Sequence, residues 1–246
     1  MIRISHLVSV GLLTVAPVFA SSPQNPPSPL SYQWNVSVDK DGHLVSLTAQ
    51  SDLGADVREP LERAIRGWTF EPGRIDDHAA ATETTLTVDV SFVPAPQNRY
   101  AVRIDDARTG GAISFPKGDS RAIPRLPTKG IRNGTAALVV VKVAYDADGH
   151  VLTVDPQASE SVASTPAFDQ ATVTAVRRWS ARPERVGGHG VPAVVMVPVC
   201  YTVGTANTTF DCSWRPHGSR AVIGQGGALA LESAVHLQTD IIGHAL

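Results

Sequence analysis

The chain has 246 residues, of which 43% are hydrophobic and 18% are charged, and this composition is typical of a globular protein. The formal net charge is −2, which argues against a nucleic-acid-binding protein because such proteins usually carry a strongly basic surface. The 20 glycines and 18 prolines predict many turns and few long helices.

Residues 1–20 predict a secretory signal peptide. Arg3 gives a short basic start, Leu7 to Phe19 is mostly apolar, and small residues precede Ser21 at the cleavage positions. The alternative is an uncleaved membrane anchor. The apolar run is shorter than the roughly 20 residues of a spanning helix, and Pro17 lies near its end. We therefore expect an exported protein whose mature chain starts at Ser21 with a Pro-rich spacer.

A weak internal repeat organises the rest of the chain. Asp39-Lys40-Asp41-Gly42-His43 matches Asp146-Ala147-Asp148-Gly149-His150. Downstream, Ala64-Ile65-Arg66-Gly67-Trp68 matches Ala175-Val176-Arg177-Arg178-Trp179. The stretch between these two landmarks is slightly longer in the second copy, so the copies align in two blocks with a short insertion between them.

Each copy predicts the same order of elements. Alternating apolar residues before the Asp-Gly pair indicate a strand, and the Asp-Gly pair is typical of a hairpin turn in which Gly takes a positive φ. A second strand follows, then a helix around 56–67 or 167–179, and then a last alternating strand. The predicted fold class is α+β: two tandem small modules, each a three-stranded antiparallel sheet with a helix.

The domain boundaries follow from these elements. We expect a signal peptide at 1–20, a Pro-rich spacer at 21–30, a first module at 31–95, a linker at 96–122 with one strand at 100–105, a second module at 123–203, and a tail at 204–246. Within the tail, the segment from Ala228 to His236 fits a short strand and a short helix equally well.

The two cysteines, Cys200 and Cys212, predict a disulfide because an exported chain folds under oxidising conditions. The loop that they enclose is short, so the expected stabilisation is about 3 kcal/mol. Two cysteines at this spacing lack the further clustered ligands of a zinc site. The Asp-x-Asp-Gly turns lack the later Glu of a calcium loop, so turn formation explains them and no metal is predicted.

The second copy resembles the C-terminal domain of TonB, the periplasmic energy transducer. The resemblance begins at Pro124-Arg125-Leu126-Pro127, continues through Tyr145 to Val151, and includes the run from Ala175 to Pro183 and Val197-Pro198-Val199. The first copy resembles the same domain more faintly. The resemblance implies a periplasmic module that does no chemistry, needs no cofactor, and binds outer-membrane transporters by pairing a sheet edge with an extended peptide.

The chain departs from a full transducer. Its N-terminal segment looks cleavable, and its Pro-rich spacer reaches only about 30 Å when extended. Three alternatives remain open. They are an inner-membrane-anchored transducer, a purely structural or dimerising protein, and a secreted enzyme with an unrecognised site. The nucleophile elbow Gly-x-Ser-x-Gly and the metalloprotease pattern His-Glu-x-x-His are both missing from the sequence, and we predict a non-enzymatic protein.

Pro198 identifies the candidate binding edge. Proline cannot donate a hydrogen bond to a neighbouring strand, so the strand that contains it should lie at a sheet edge or carry a bulge. The expected partner is an outer-membrane TonB-dependent receptor, another periplasmic protein or a second copy of the chain, and no nucleic acid. The predicted peptide-binding edge comprises Val194, Val195, Met196, Val197, Val199 and Tyr201.

Two other pairs of residues have simpler interpretations. Trp68 and Trp179 end the predicted helices just before a proline, where buried core residues are expected. His43 and His150 follow the turn glycines, where exposed positions at a strand start are expected.

Overall fold

The computed structural model describes residues 30–50, 53–97, 99–114, 119–128, 136–202, 210–224 and 226–246. The predicted signal peptide at 1–20 and nearly all of the predicted spacer lie outside the described residues. The spacer's last residue, Leu30, already begins the first strand.

The described chain from 30 to 110 folds into strands around one helix. A strand pair and helix come first, three two-residue strands follow, and two long strands end the segment. The elements are β1 (Leu30–Val38), β2 (Leu44–Ala49), α1 (Ala55–Ile65), β3 (Phe70–Glu71), β4 (Arg74–Ile75), β5 (His78–Ala79), β6 (Thr82–Ala95) and β7 (Arg99–Gly110).

The remainder repeats the strand pair, the helix and the last strand, and adds short strands in the tail. A 3₁₀ turn (Ser120–Ala122) precedes the first long strand of this half. The elements are β8 (Ala112–Ser114), β9 (Ala137–Tyr145), β10 (Val151–Pro156), α2 (Pro166–Val176), β11 (Ser180–Arg182), β12 (Arg185–Val186), β13 (His189–Gly190), β14 (Ala193–Tyr201), β15 (Leu229–Ala230) and β16 (His236–Leu237).

Two large antiparallel sheets contain most of the strands. The first has the order β13-β12-β6-β1-β2, with β7 also paired to β6, and the second has the order β10-β9-β14-β15. The described residues are thus mainly β with two helices, in agreement with the predicted α+β class. The sheets are larger than the three strands expected, because β7 and the β12–β13 hairpin join the first sheet and β15 joins the second.

Alternation of side chains builds the two main cores. In the first sheet, Trp34 pairs with Leu86, and both side chains are buried against Leu61 and Ile65 of α1. In the second sheet, the inward side chains of β9 and β14 pack on Phe168 of α2 and its neighbours. Each helix therefore covers one face of its sheet, as the hydrophobic periodicity predicts.

The Asp-Gly turns form as predicted. Gly42 and Gly149 have φ values of 83° and 86°. Asp39 Oδ1 accepts the backbone N–H groups of Asp41 and His43 at 2.9 Å each. Asp146 Oδ1 likewise accepts the backbone N–H groups two and four residues ahead, at 3.0 and 2.8 Å. These bonds fix the hairpins and lower the pKa of both carboxyls, chiefly through the N–H donated four residues ahead.

The segment expected as a linker needs correction. The strand predicted at 100–105 runs from Arg99 to Gly110 and forms a hairpin with β6, from Ala95↔Arg99 to Thr85↔Gly110. It is therefore part of the first sheet. The turn between the strands is short, and the apolar residues Val102 and Ile104 alternate toward the first core, so pairing buries them.

The tail also needs correction, since it is a packed part of the fold. Trp214 and Ile223 lie with Leu138, Val140 and Met196 in a third buried cluster on the outer face of the second sheet. Farther along, Val235 and Ile241 enter the core of the first sheet. The segment from 228 to 236 contains β15 and begins β16, so the strand alternative is the right one.

Candidate peptide-binding edge

The six predicted edge residues lie on β14, but their side chains point to two different faces. Val195, Val197, Val199 and Tyr201 are buried in the core under α2. Met196 is buried in the cluster on the opposite face, and Val194 is half-buried. A partner strand would therefore meet the main chain of β14 and little of these side chains.

One side of β14 is fully paired. All nine residues from Ala193 to Tyr201 have partners on β9, which runs antiparallel from Tyr145 to Ala137. This pairing holds β14 rigidly between the helix-covered face and the tail-covered face. Any additional strand must use the opposite side of β14.

The opposite side of β14 is partly occupied by the chain's own tail. Val195 pairs with Ala230 and Met196 with Leu229, and the N–H of Leu231 donates to the carbonyl of Val194 at 3.0 Å. Among the residues that the structure describes, no strand pairs with this side beyond Met196. The expectation of an open edge along the whole strand is therefore corrected: its first part is covered by β15.

Pro198 lies on this partly covered side. Main-chain groups of successive residues alternate in direction, and Val194 faces β15, so Met196, Pro198 and Cys200 face the same way. Pro198 lacks an N–H, so it withholds a donor only from the side that β9 does not use. From Pro198 onward, this side offers two carbonyls and the N–H of Cys200.

The end of β14 is anchored twice. Cys200 forms the predicted disulfide with Cys212, and the two Cα atoms are 5.5 Å apart. The Tyr201 hydroxyl lies 2.8 Å from the hydroxyl of Thr172 on α2, and burial raises the pKa of Tyr201 to about 12. Beyond the disulfide, the Trp214 indole N–H donates to Glu160 at 2.8 Å and helps to lower the pKa of that carboxyl.

The two tryptophans at the helix ends are core residues, as the sequence indicates. Trp68 and Trp179 each expose 5% of their surface and lie in separate cores. The Trp179 indole N–H donates to the carbonyl of Ala122 at 2.7 Å, which fixes the 3₁₀ turn against α2. Neither tryptophan is available to a partner.

The turn of the second copy brings possible metal ligands together. Ligand atoms of Asp146, Asp148 and His150 lie within 4.8 Å of one another, on an exposed hairpin. The Asp146 carboxylate already accepts two backbone N–H groups and contacts the His150 ring at 3.1 Å. Turn formation accounts for this cluster, and we assign no metal to it.

Sequence reasoning missed one residue at the junction between the halves. Glu184 is only 3% exposed, and its carboxylate contacts Thr84 of β6 and Ser233 of the tail. In the alignment that matches Trp68 with Trp179, the first copy has Gly73 in its place. The change from Gly to Glu between repeat copies is the signal that points to this position.

A protein-family comparison bears on the second half of the chain. Residues 123–203 match the family model described as Gram-negative bacterial TonB protein C-terminal. This segment is TonB C-terminal domain-like. The match spans about a third of the chain and contains all of β14. Comparisons with curated proteins and with solved structures find no match.

The TonB-like segment indicates a protein-interaction role in the cell envelope, with a protein as partner. In the part of the chain that the structure describes, neither helix has the length and apolar character needed to cross a membrane. The region before Leu30, which holds the predicted signal peptide, lies outside that part.

Proposed function

We propose that this chain is a non-enzymatic periplasmic interaction protein that binds an extended peptide of an outer-membrane receptor or another periplasmic protein. The peptide adds as a strand to the side of β14 that β9 does not use. The main observation in support is that, within the described part of the chain, this side is covered by two residue pairs with β15 and the Leu231 bond to Val194, and by no strand beyond Met196. Main-chain hydrogen bonds supply the affinity in strand addition, which suits a strand whose side chains are buried.

Peptide binding at this edge competes with β15. With β15 in place, the free part of the edge offers little beyond two carbonyls and one N–H. With β15 displaced, the main-chain groups of Val194 and Met196 become available as well. The tail is therefore a short internal competitor for the same edge.

The first half of the chain is, in this proposal, a second and more divergent TonB-like module. Its support is the shared register: Trp34 pairs with Leu86, and their counterparts in the repeat alignment, Val141 and Val197, also pair with each other. The predicted signal peptide is removed before Ser21 and leaves the protein in the periplasm. An uncleaved anchor would instead make the chain an inner-membrane transducer.

Site-specific photo-crosslinking in the native host tests this function. The probe stands at Thr202, which is exposed at the end of the edge, and a control probe stands at the exposed Glu59 of α1. Mass spectrometry then identifies the products. We expect a receptor or another periplasmic protein at Thr202 and not at Glu59.

A matched pair of tail variants sharpens the experiment. Leu231→Pro removes the N–H that donates to Val194, whereas Leu231→Ala keeps it and removes only the side chain. We expect the proline variant to raise the crosslinking yield more than the alanine variant does. Capture of a second copy of the chain alone would assign the edge to dimerisation. Equal yields at the test and control probes would leave the structural role as the better account.

A further inference from the structure

The carboxylate of Glu184 is buried where three parts of the fold meet. It lies between β11 and β12, and it accepts hydrogen bonds from Thr84 Oγ1 at 2.5 Å, Ser233 Oγ at 2.8 Å and the Ala234 N–H at 2.6 Å. Thr84 belongs to the first sheet, and the other two donors belong to the tail. Glu184 thus ties the halves and the tail together.

This buried charge has no cationic partner among the residues that the structure describes. None of the ion pairs with a nitrogen–oxygen distance up to 4.0 Å includes Glu184. Three neutral donors offset only part of the cost of removing a carboxylate from water. A carboxylate has about four acceptor positions, and here Oε1 uses two and Oε2 uses one. One position on Oε2 remains.

Glu184 is one of the residues that line a cavity of about 440 Å³. Its lining includes the apolar stretch from Val191 to Val194 and the tail segment 231–234. The exposed residues Lys142 and Glu232 also line it. Its ionisable groups are therefore two carboxylates and one ammonium, which leaves a net charge of −1.

We propose that this cavity binds an organic cation on a short aliphatic arm, with Glu184 as its counterion. The chemistry is that of an arginine or lysine side chain. Guanidinium is the better fit because it is less strongly hydrated than an ammonium group and can donate a single N–H to the remaining position on Oε2. The apolar stretch packs against the methylene stem. The volume is in the usual range for a small-ligand site. The cavity includes Val194 of β14 and Leu231 of the tail, so it borders the place where β15 covers the edge.

Binding of matched neutral and charged probes to the full mature chain tests the site. The probes are Nα-acetyl-arginine methylamide and Nα-acetyl-citrulline methylamide, which have nearly the same shape and differ by one positive charge. Amide NMR shifts of Ser233 and Ala234 report binding. We expect saturable shifts with the arginine probe and at least about tenfold weaker binding of the citrulline probe. Free arginine, added separately, shows whether a lone amino acid or only a residue within a chain is accepted.

Two exposed glutamates give a matched pair of variants that leave the Glu184 hydrogen bonds in place. Glu232→Arg changes the charge of the cavity lining from −1 to +1, and Glu59→Arg makes the same change on α1, away from the cavity. We expect Glu232→Arg to lower the affinity for the arginine probe several-fold and Glu59→Arg to leave this affinity unchanged. Glu184→Gln should abolish the preference for arginine over citrulline. The dispersion of its amide NMR spectrum shows whether this variant is still folded.

Three outcomes would overturn the proposal. They are equal affinities for the arginine and citrulline probes, equal effects of Glu232→Arg and Glu59→Arg, and probe shifts that leave Ser233 and Ala234 unmoved. These measurements test arginine binding and use no peptide strand, so their failure would leave the proposed strand addition at β14 untouched.

Discussion

The last strands of the two halves, β6 and β14, occupy equivalent places in their sheets. The outer face of each sheet, opposite its helix, is covered in a different way. Asp89 of β6 pairs with Ser31, and their counterparts in the repeat alignment, Cys200 of β14 and Leu138 of β9, also pair with each other. At this shared position, the first half carries a buried carboxylate and the second half carries a disulfide cysteine.

In the first half, the outer face is closed by a polar network with the next strand. Arg108 of β7 donates to Asp89 at 2.6 Å and to Asp106 at 2.8 Å, and the Ser31 hydroxyl donates to Asp89 at 2.5 Å. The Asp89 side chain is 1% exposed and that of Arg108 is 13% exposed. A local hairpin thus supplies the cation that pairs with this buried carboxylate.

In the second half, the outer face is closed by a distant apolar segment. The disulfide fixes the start of the tail, and Trp214 and Ile223 then cover Leu138 and Val140. The comparison teaches that two similar strand–helix units need different additions to become stable. The outer face of the first unit is covered by its own hairpin, whereas the outer face of the second depends on residues beyond the TonB-like segment.

The largest expected effect comes from breaking the polar network of the first half. Arg108→Ala leaves the Asp89 carboxylate buried without a cation, and we expect it to lower the free energy of unfolding by about 3–5 kcal/mol. Arg103→Ala is the matched control because Arg103 makes an exposed pair with Asp105, for which we expect about 0–1 kcal/mol. Urea unfolding measures both. Similar small losses for the two variants would show that the buried pair is not what holds this face.

The corresponding change in the second half removes the disulfide. We expect the double variant Cys200→Ser with Cys212→Ser to lose about 3 kcal/mol, because the unfolded chain regains the entropy of the closed loop. Hydrogen exchange gives the location: the amides of Trp214 and Ile223, which bond to each other's carbonyls at 2.8 Å, should lose protection. The amide of Val88 in the first sheet should keep it. Uniform loss across both sheets would mean that the tail is not a separate unit.

The sequence predicts correctly the features that depend on local residue patterns. The turns around Gly42 and Gly149, both helices and the alternation of the long strands follow from spacing and turn chemistry. The disulfide could be predicted because two cysteines allow only one pairing, and the structure contains it. The pairing of β12 with β6 could not be predicted, since it joins distant parts of the chain through a two-residue strand. The coverage of β14 by β15 could not be predicted for the same reason, since the strand alternative for 228–236 does not indicate which distant strand it pairs with.

A smaller effect distinguishes the two helix-end tryptophans. Trp68→Phe and Trp179→Phe both shorten a buried side chain, but only the second removes the bond to the buried Ala122 carbonyl. We expect Trp179→Phe to cost about 1–2 kcal/mol more in unfolding free energy, since the carbonyl is left without its donor. Thermal unfolding of the two variants side by side provides the comparison. Equal losses would show that Ala122 finds another donor, such as water.

The smallest expected effect concerns the two Asp-Gly turns. The pKa values of Asp39 and Asp146 lie below 3.8, and in both the N–H four residues ahead is the largest cause. The second turn also has a side-chain contact, from the His150 ring to Asp146 at 3.1 Å, whereas the His43 ring lies 3.7 Å from Asp39.

Replacing each histidine by alanine keeps the backbone N–H and removes only the ring. We expect His150→Ala to raise the pKa of Asp146 by more than His43→Ala raises that of Asp39, and both values to stay below 3.8. A depressed carboxyl pKa stabilises the fold above the unfolded pKa, and this contribution disappears as the pH falls through the folded pKa. The pH range in which each turn loses this stabilisation should therefore lie below about pH 4. Carboxyl ¹³C titration measures the two shifts, and equal shifts would mean that the ring contact adds nothing to the backbone bonds.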